Sequence, residues 1–197
     1  MFEPKTRAQD NRSDEELVQI ALADQESFGL IIDRYSEPLS RYIRRLTRLD
    51  EEEVEDVLQD IFIKIYLNLN DFDHRLKFSS WIYRVAHNQV IDHWRKSQVR
   101  PSTAIDPDDA FWLSVADDLD LEAEANRREL GVKIRKLIDR LEGDCRAILI
   151  LRYLEDKDYQ EISDIMKKPI GTVATLINRA KKKLKNLIDQ ERLIEQE

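Results

Sequence analysis

Thr172, Thr175, Asn178, Arg179 and Lys182 have the types and spacing to touch duplex nucleic acid. Hydroxyls, an amide, a guanidinium and an ammonium can hydrogen-bond base edges or phosphate oxygens, and the threonine methyl can meet the methyl of thymine. Thr172, Thr175, Arg179 and Lys182 fall at i, i+3, i+7 and i+10, one stripe of a helix. Val173, Ile177, Ala180, Leu184 and Leu187 form a second, apolar stripe at i, i+4, i+7, i+11 and i+14. From Met166 to Ile188 there are seven Lys or Arg and no acid. An amphipathic hairpin with solvated lysines is the plainer reading of the same pattern.

The elements that must position this stripe are short. A helix is predicted from about Tyr159 to Lys167, with Ile162, Ile165 and Met166 inward. Pro169 cannot continue it, and Pro169, Gly171 and Thr172 make the start of a second helix. Two helices joined this way make a helix-turn-helix, whose second helix enters the major groove. Upstream, a helix is expected over Leu121–Leu141, with Leu130, Ile134, Leu137, Ile138 and Leu141 inward and Gly143 ending it. Another is expected over Cys145–Leu154, completing a four-helix domain.

A second cluster lies in the N-terminal half. Phe72, Phe78, Trp81, Tyr83 and Trp94 interleave with Arg75, Lys77, Arg84, Arg95, Lys96 and Arg100. Aromatic faces beside cations are what holds unstacked bases of a single strand. Phe78, Trp81, Val85 and Trp94 also sit at core spacing; Phe78 and Trp81 are expected inside, Phe72 and the bases at the contact surface. Ser79 or Ser80 is expected to cap this helix. Before it, Asp50–Asp60 holds seven acids and no base, leading into Val57, Leu58, Ile61, Phe62 and Ile65. The acids suit a helix start, where the dipole favours negative charge, and equally suit a docking surface for a basic partner. Ser13 and Glu16 form a capping box ahead of Leu17, Ile20 and Ala21. A helical stretch from Phe28 to Leu46 follows, with Pro38 at a kink or a new start.

Forty-two per cent hydrophobic and 37% charged residues, with four Gly and five Pro, describe a soluble all-α chain. The net charge of −8 is local: Pro101–Asn126 carries six Asp, two Glu and no base, so the remainder sums to zero. An acidic total therefore does not exclude nucleic acid. That stretch, with Pro101, Pro107 and Phe111-Trp112, reads as a flexible acidic linker. The expected organisation is two small helical domains, 13–98 and 125–190, joined through 99–124. Cys145 is the single cysteine and is expected buried, which fits a reducing cytoplasm. No apolar run suggests secretion or a membrane span. His74, His87 and His93 show no metal spacing, and no phosphate-cradling glycine loop or nucleophile motif is present, so no cofactor, metal or enzymatic activity is expected.

Asp56-Val-Leu-Gln59-Asp60-Ile-Phe62, followed by Phe78-x-x-Trp81-Ile-Tyr-Arg84-Val-Ala86-x-Asn88-x-x-x-Asp92-x-x-Arg95-Lys96, resembles the second region of bacterial sigma factors. Arg146-Ala-Ile-Leu through Asp158-Tyr-Gln-Glu161-Ile, then Gly171-Thr-Val and Asn178-Arg179-Ala180, resembles their fourth region. Order and spacing are similar to the small two-domain extracytoplasmic-function group. The resemblance implies that Asp56, Gln59, Asp60 and Phe62 dock on core RNA polymerase. It implies that Phe72, Lys77, Arg84, Asn88, Arg95 and Lys96 serve the downstream (minus-ten) element, where a base is flipped from the stack. It further implies that the C-terminal stripe reads the upstream (minus-thirty-five) duplex, that the linker threads the polymerase's RNA path, and that an anti-sigma factor is a partner. Many relatives carry arginines where this chain has Ala174 and Leu176, so the family's promoter preference does not carry over. A stand-alone helix-turn-helix regulator is the alternative, and it leaves Asp50–Lys96 unexplained.

Overall fold

In a computed structural model the described residues are 11–47, 49–97, 136–141 and 143–194, with the side chains of 94–97 and 191–194 excepted. These residues form helices and no strand. They group into two compact units. One holds residues 11–43 and 51–97; the other holds residues 44–47, 49–50, 136–141 and 143–194.

Helix α1 (Asp14–Ala23) starts at the expected capping box. The Glu16 N–H donates to Ser13 Oγ at 3.2 Å, and the Ser13 N–H donates to Glu16 Oε2 at 2.6 Å. Both satisfy amide donors that a helix start leaves orphaned. We expect Ser13→Ala to cost the N-terminal unit about 1 kcal/mol in urea unfolding, because Glu16 loses its acceptor. Asp24 ends α1 and caps the 3-10 turn Gln25–Phe28; the Ser27 hydroxyl donates to it at 2.6 Å and, with the Glu26 N–H, holds its carboxyl below the usual range.

Helix α2 (Gly29–Leu46) runs through Pro38 without a break, so Pro38 does not open a new helix. A proline there costs about 3 kcal/mol. Burial of Tyr35, Leu39, Tyr42 and Ile43 on the same element offsets that cost. Asp14 fastens α1 to α2: Arg34 Nη1 donates to Oδ1 at 2.9 Å and Tyr35 Oη to Oδ2 at 2.5 Å. Burial, then the bond to Asp14, pushes the Tyr35 phenol upward, so it remains a donor.

Helix α3 (Glu51–Leu67) buries Val54, Val57, Ile61, Phe62 and Ile65. It packs on α4 (Phe78–Ser97), which contributes Phe78, Trp81, Ile82, Tyr83, Ala86 and Val90 to the core. Because α4 begins at Phe78, neither Ser79 nor Ser80 precedes it; the Trp81 N–H instead bonds the Lys77 carbonyl at 3.1 Å. Tyr42 Oη and His87 Nδ1, 3.0 Å apart, satisfy each other inside.

In the second unit Leu137, Ile138 and Leu141 are buried as expected; the rest of the helix expected over Leu121–Leu141, with Leu130 and Ile134, lies outside the described residues. Gly143 has φ +54°, a left-handed turn that glycine adopts without strain. Helix α5 (Gly143–Leu149) buries Cys145 and then widens into a π segment, Ile150–Leu154, instead of continuing to Leu154 as one α-helix. The Glu155 N–H reaching Ile150 O at 3.0 Å marks the wider turn. Helix α6 (Tyr159–Met166) starts at a capping box of Asp158 and Glu161, with bonds of 2.7 and 2.9 Å. It ends at Lys167 in the left-handed conformation. The Pro169 carbonyl accepts from the Thr172 and Val173 N–H groups at 2.8 and 3.0 Å, which launches α7 (Ile170–Ile194).

Candidate nucleic-acid and docking surfaces

Helices α6 and α7 are packed through Ile162, Ile165 and Met166 on one side and Val173, Ile177, Ala180 and Leu184 on the other, all buried. Leu187 is only half-buried, and Ile188 takes the next inward place, because a 3.6-residue turn drifts from a strict seven-residue repeat. The face opposite is left to solvent: Thr172, Thr175, Asn178, Arg179 and Lys182 are all exposed. The five predicted contacts therefore do share an outward surface. Lys167 adds its exposed side chain, and Lys168 Nζ lies 3.0 Å from Asp144 Oδ2. Thr175 Oγ1 donates to the Gly171 carbonyl at 2.9 Å. Ala174 and Leu176 are half-buried.

On α3 the exposed residues Asp56, Gln59 and Asp60 form one stripe. Asp60 Oδ2 accepts from Gln89 Nε2 of α4 at 2.9 Å, which fixes the carboxylate's orientation. Phe62 differs from expectation. It is 8% exposed and belongs to the core, because the inward stripe of α3 passes through Ile61, Phe62 and Ile65. From there its ring holds the helix in place against the rest of the unit. The reading of the sequence missed Ile63, Tyr66 and Leu67, which are 56, 40 and 68% exposed. Ile63 and Leu67 stand seven and eleven residues beyond Asp56, on the same stripe. That spacing was the available signal.

The loop before α4 also corrects an expectation. Phe72, assigned to the contact surface, is 5% exposed. Its ring packs 5.2 Å from Phe78, 5.5 Å from Trp81 and 5.0 Å from His74, centroid to centroid. Enclosing an aromatic ring removes much apolar area from water, so the core takes it when the loop is short enough to fold back. Phe78 and Trp81 are in the core as expected, stacked at 5.7 Å. At the loop's crest Arg75 clasps Asp73, Nη2 to Oδ2 at 2.7 Å, and this bond holds the Asp73 carboxyl near a pKa of about 2. The clasp keeps its charge at any physiological pH. Lys77 and Asn88 are exposed and Arg84 is half-buried, one side of α4 running on from the loop. The side chains of Arg95, Lys96 and Trp94 lie outside the described residues, as do the linker and its Phe111 and Trp112.

Among the described residues no group of His, Cys, Asp or Glu is placed to hold a metal ion, and no helix is long and apolar enough to cross a membrane. The α3 surface offers carboxylates, an amide and apolar side chains, and the α7 surface offers cations, an amide and hydroxyls.

Residues 31–100 match the family Sigma-70 region 2, and residues 131–184 match Sigma-70, region 4. The chain is 32% identical over 174 residues to the ECF RNA polymerase sigma factor SigW of Bacillus subtilis, covering 85% of this chain and 91% of that one. It is 30% identical over 182 residues to the ECF RNA polymerase sigma-E factor of Escherichia coli K12, covering 89% and 94%. Among solved structures, CnrH in complex with the cytosolic domain of CnrY shares the fold, with a TM-score of 0.64, 24% identity, and coverage of 91% of this chain and 99% of that one. The sigma factor RpoE of Bartonella quintana, solved with the anti-sigma factor NepR, gives a TM-score of 0.60 at 20% identity over 83% and 98%.

Proposed function

This chain belongs to the extracytoplasmic-function group of sigma-70 factors, and from that membership we propose how its surfaces divide the work of promoter-specific initiation. The chain binds core RNA polymerase and promoter DNA, and the polymerase carries out the chemistry; the chain itself has no catalytic role and works in the cytoplasm. The N-terminal domain, 13–98, docks and opens the promoter. The acidic linker, 99–124, connects it to the upstream-reading domain, 125–190.

Asp56, Gln59 and Asp60 meet the polymerase, with Ile63, Tyr66 and Leu67 as its apolar continuation. A charged edge beside exposed apolar side chains is the composition of a docking surface: the charges set register and the apolar groups supply area. Lys77, Arg84 and Asn88, with Arg95 and Lys96 further along α4, hold the displaced strand. Extruding a base costs a few kcal/mol of stacking, and a pocket that recovers this only for the right base gives selectivity. Phe72, Phe78 and Trp81 form the rigid aromatic floor under that loop. Thr172, Thr175, Asn178, Arg179 and Lys182 face the upstream duplex.

The observation that carries this reading is the pairing of two separate outward surfaces in family order, an acidic-apolar one on α3 and a basic one on α7. A stand-alone helix-turn-helix regulator would use the second and have no use for the first. Arg179 is the residue to test on the duplex side. We expect Arg179→Ala to weaken upstream binding in the holoenzyme by about 5- to 150-fold, the range of a lost guanidinium contact of about 1–3 kcal/mol. Its salt dependence should become shallower if the contact is to phosphate. Unchanged affinity together with an unchanged salt slope would remove Arg179 from the interface. An anti-sigma factor is a further proposed partner, and its simplest mode of action is to cover both surfaces at once.

A further inference from the structure

The front of α7 carries chemistry unlike an arginine-bearing recognition helix. Between Ile170 and Leu176 there is no Lys, Arg, Asn or Gln, so its first two turns hold no side chain able to make a bidentate contact to guanine or adenine. What they expose is apolar or small: Ile170 is 50% exposed, and Gly171, Thr172 and Thr175 are exposed beside half-buried Ala174. The Thr175 hydroxyl already donates its proton to the Gly171 carbonyl at 2.9 Å, which leaves it no proton for a base and leaves its methyl and its acceptor lone pairs for an outside contact.

Gly171 is the second observation. A Cβ built there meets nothing within 4 Å, and its φ lies outside the left-handed region. Nothing in the fold requires glycine at this position, and glycine is a poor helix former. An alanine would fit there, so the bare backbone at Gly171 leaves this turn of α7 open to close approach from outside. The surroundings select what approaches, because Met166–Ile188 carries seven bases and no acid, which suits the phosphate-lined walls of a duplex groove.

Resting on the upstream-reading role proposed above, we propose that α7 reads thymine methyls by close approach, with Gly171 as the point of contact and Ile170, Thr172 and Thr175 packing against the methyl groups. Polar readout and phosphate anchoring are then left to Asn178, Arg179 and Lys182, one to three turns further along.

The test uses the full chain assembled with core polymerase and a duplex library randomised across the upstream window. Selected windows are expected to share thymines, and resynthesis with deoxyuridine at those positions removes only the methyl. Each such replacement should weaken binding about 3- to 10-fold, the scale of one lost buried methyl. In Ile170→Ala the same replacement at the contacted position should have little further effect, as for any pair sharing one contact. Gly171→Ala should leave the melting temperature unchanged or raised, yet weaken duplex binding tenfold or more. Equal binding of thymine and uracil duplexes, or full binding by Gly171→Ala, overturns the inference. If Arg179→Ala still loses binding in that case, the upstream-reading role survives without it. No enriched window, with Arg179→Ala binding like the parent chain, overturns both.

Discussion

Changing Asp60 to Lys together with Gln59 to Ala is expected to weaken assembly with core polymerase at least about a hundredfold while the free protein still folds. Both side chains are exposed, and the core contacts of α3 lie on its other side, through Val54, Val57, Ile61 and Ile65. The change removes the bond from Gln89 to the Asp60 carboxylate, a loss of about 1.5–3 kcal/mol, which a domain stable by about 5–15 kcal/mol absorbs. At the docking surface the effect is larger. Removing one partner of a desolvated charge pair costs about 2–5 kcal/mol, and reversal adds repulsion. Titration of labelled polymerase with parent and variant, beside thermal melts of each, separates the two costs. Leu67→Asp is expected to act in the same direction, since a carboxylate would be placed on the apolar part of the stripe. Parent-like affinity in both variants would put the docking surface elsewhere.

Phe72→Ala is expected to destabilise the N-terminal unit by about 3–5 kcal/mol, the usual cost of emptying an aromatic site in a core. The ring is enclosed by Phe78, Trp81 and His74, and truncation leaves a cavity that the stacked pair cannot collapse into without losing its own contacts. Against a total stability of about 5–15 kcal/mol, that is a large fraction. Urea unfolding should show a lower midpoint, and promoter opening should fail at temperatures where the parent works. Phe72→Leu should recover part of the loss, because a shape-filling apolar residue suffices for a floor. An unchanged midpoint with lost promoter opening would instead make Phe72 a direct contact to a base.

The contrast between these two sites shows what a linear sequence makes legible. Helix identity followed from period and caps: the Ser13–Glu16 box occurs as written, and the polar stripe of α7 emerged intact because every member obeys one rotation rule. Residue type misled where burial depends on tertiary neighbours. Phe62 and Phe72 carry family-like positions, yet their rings are worth more inside than out. Ile63 and Leu67 show the reverse. They are apolar, yet their phase with Asp56 puts them on the surface, and phase decides where type and phase conflict. Pro38 and the π segment Ile150–Leu154 were out of reach for another reason. A long buried face can carry a helix through a local defect, and periodicity alone gives no measure of that margin.

The most direct test of the account is run-off transcription with purified chain, core polymerase and a promoter library, preceded by a binding titration of chain and polymerase. A stable complex is expected, with start sites that core polymerase alone does not use, lost with the Asp60 and Gln59 changes. A folded chain that binds duplex DNA but neither associates with polymerase nor creates a start site would contradict it.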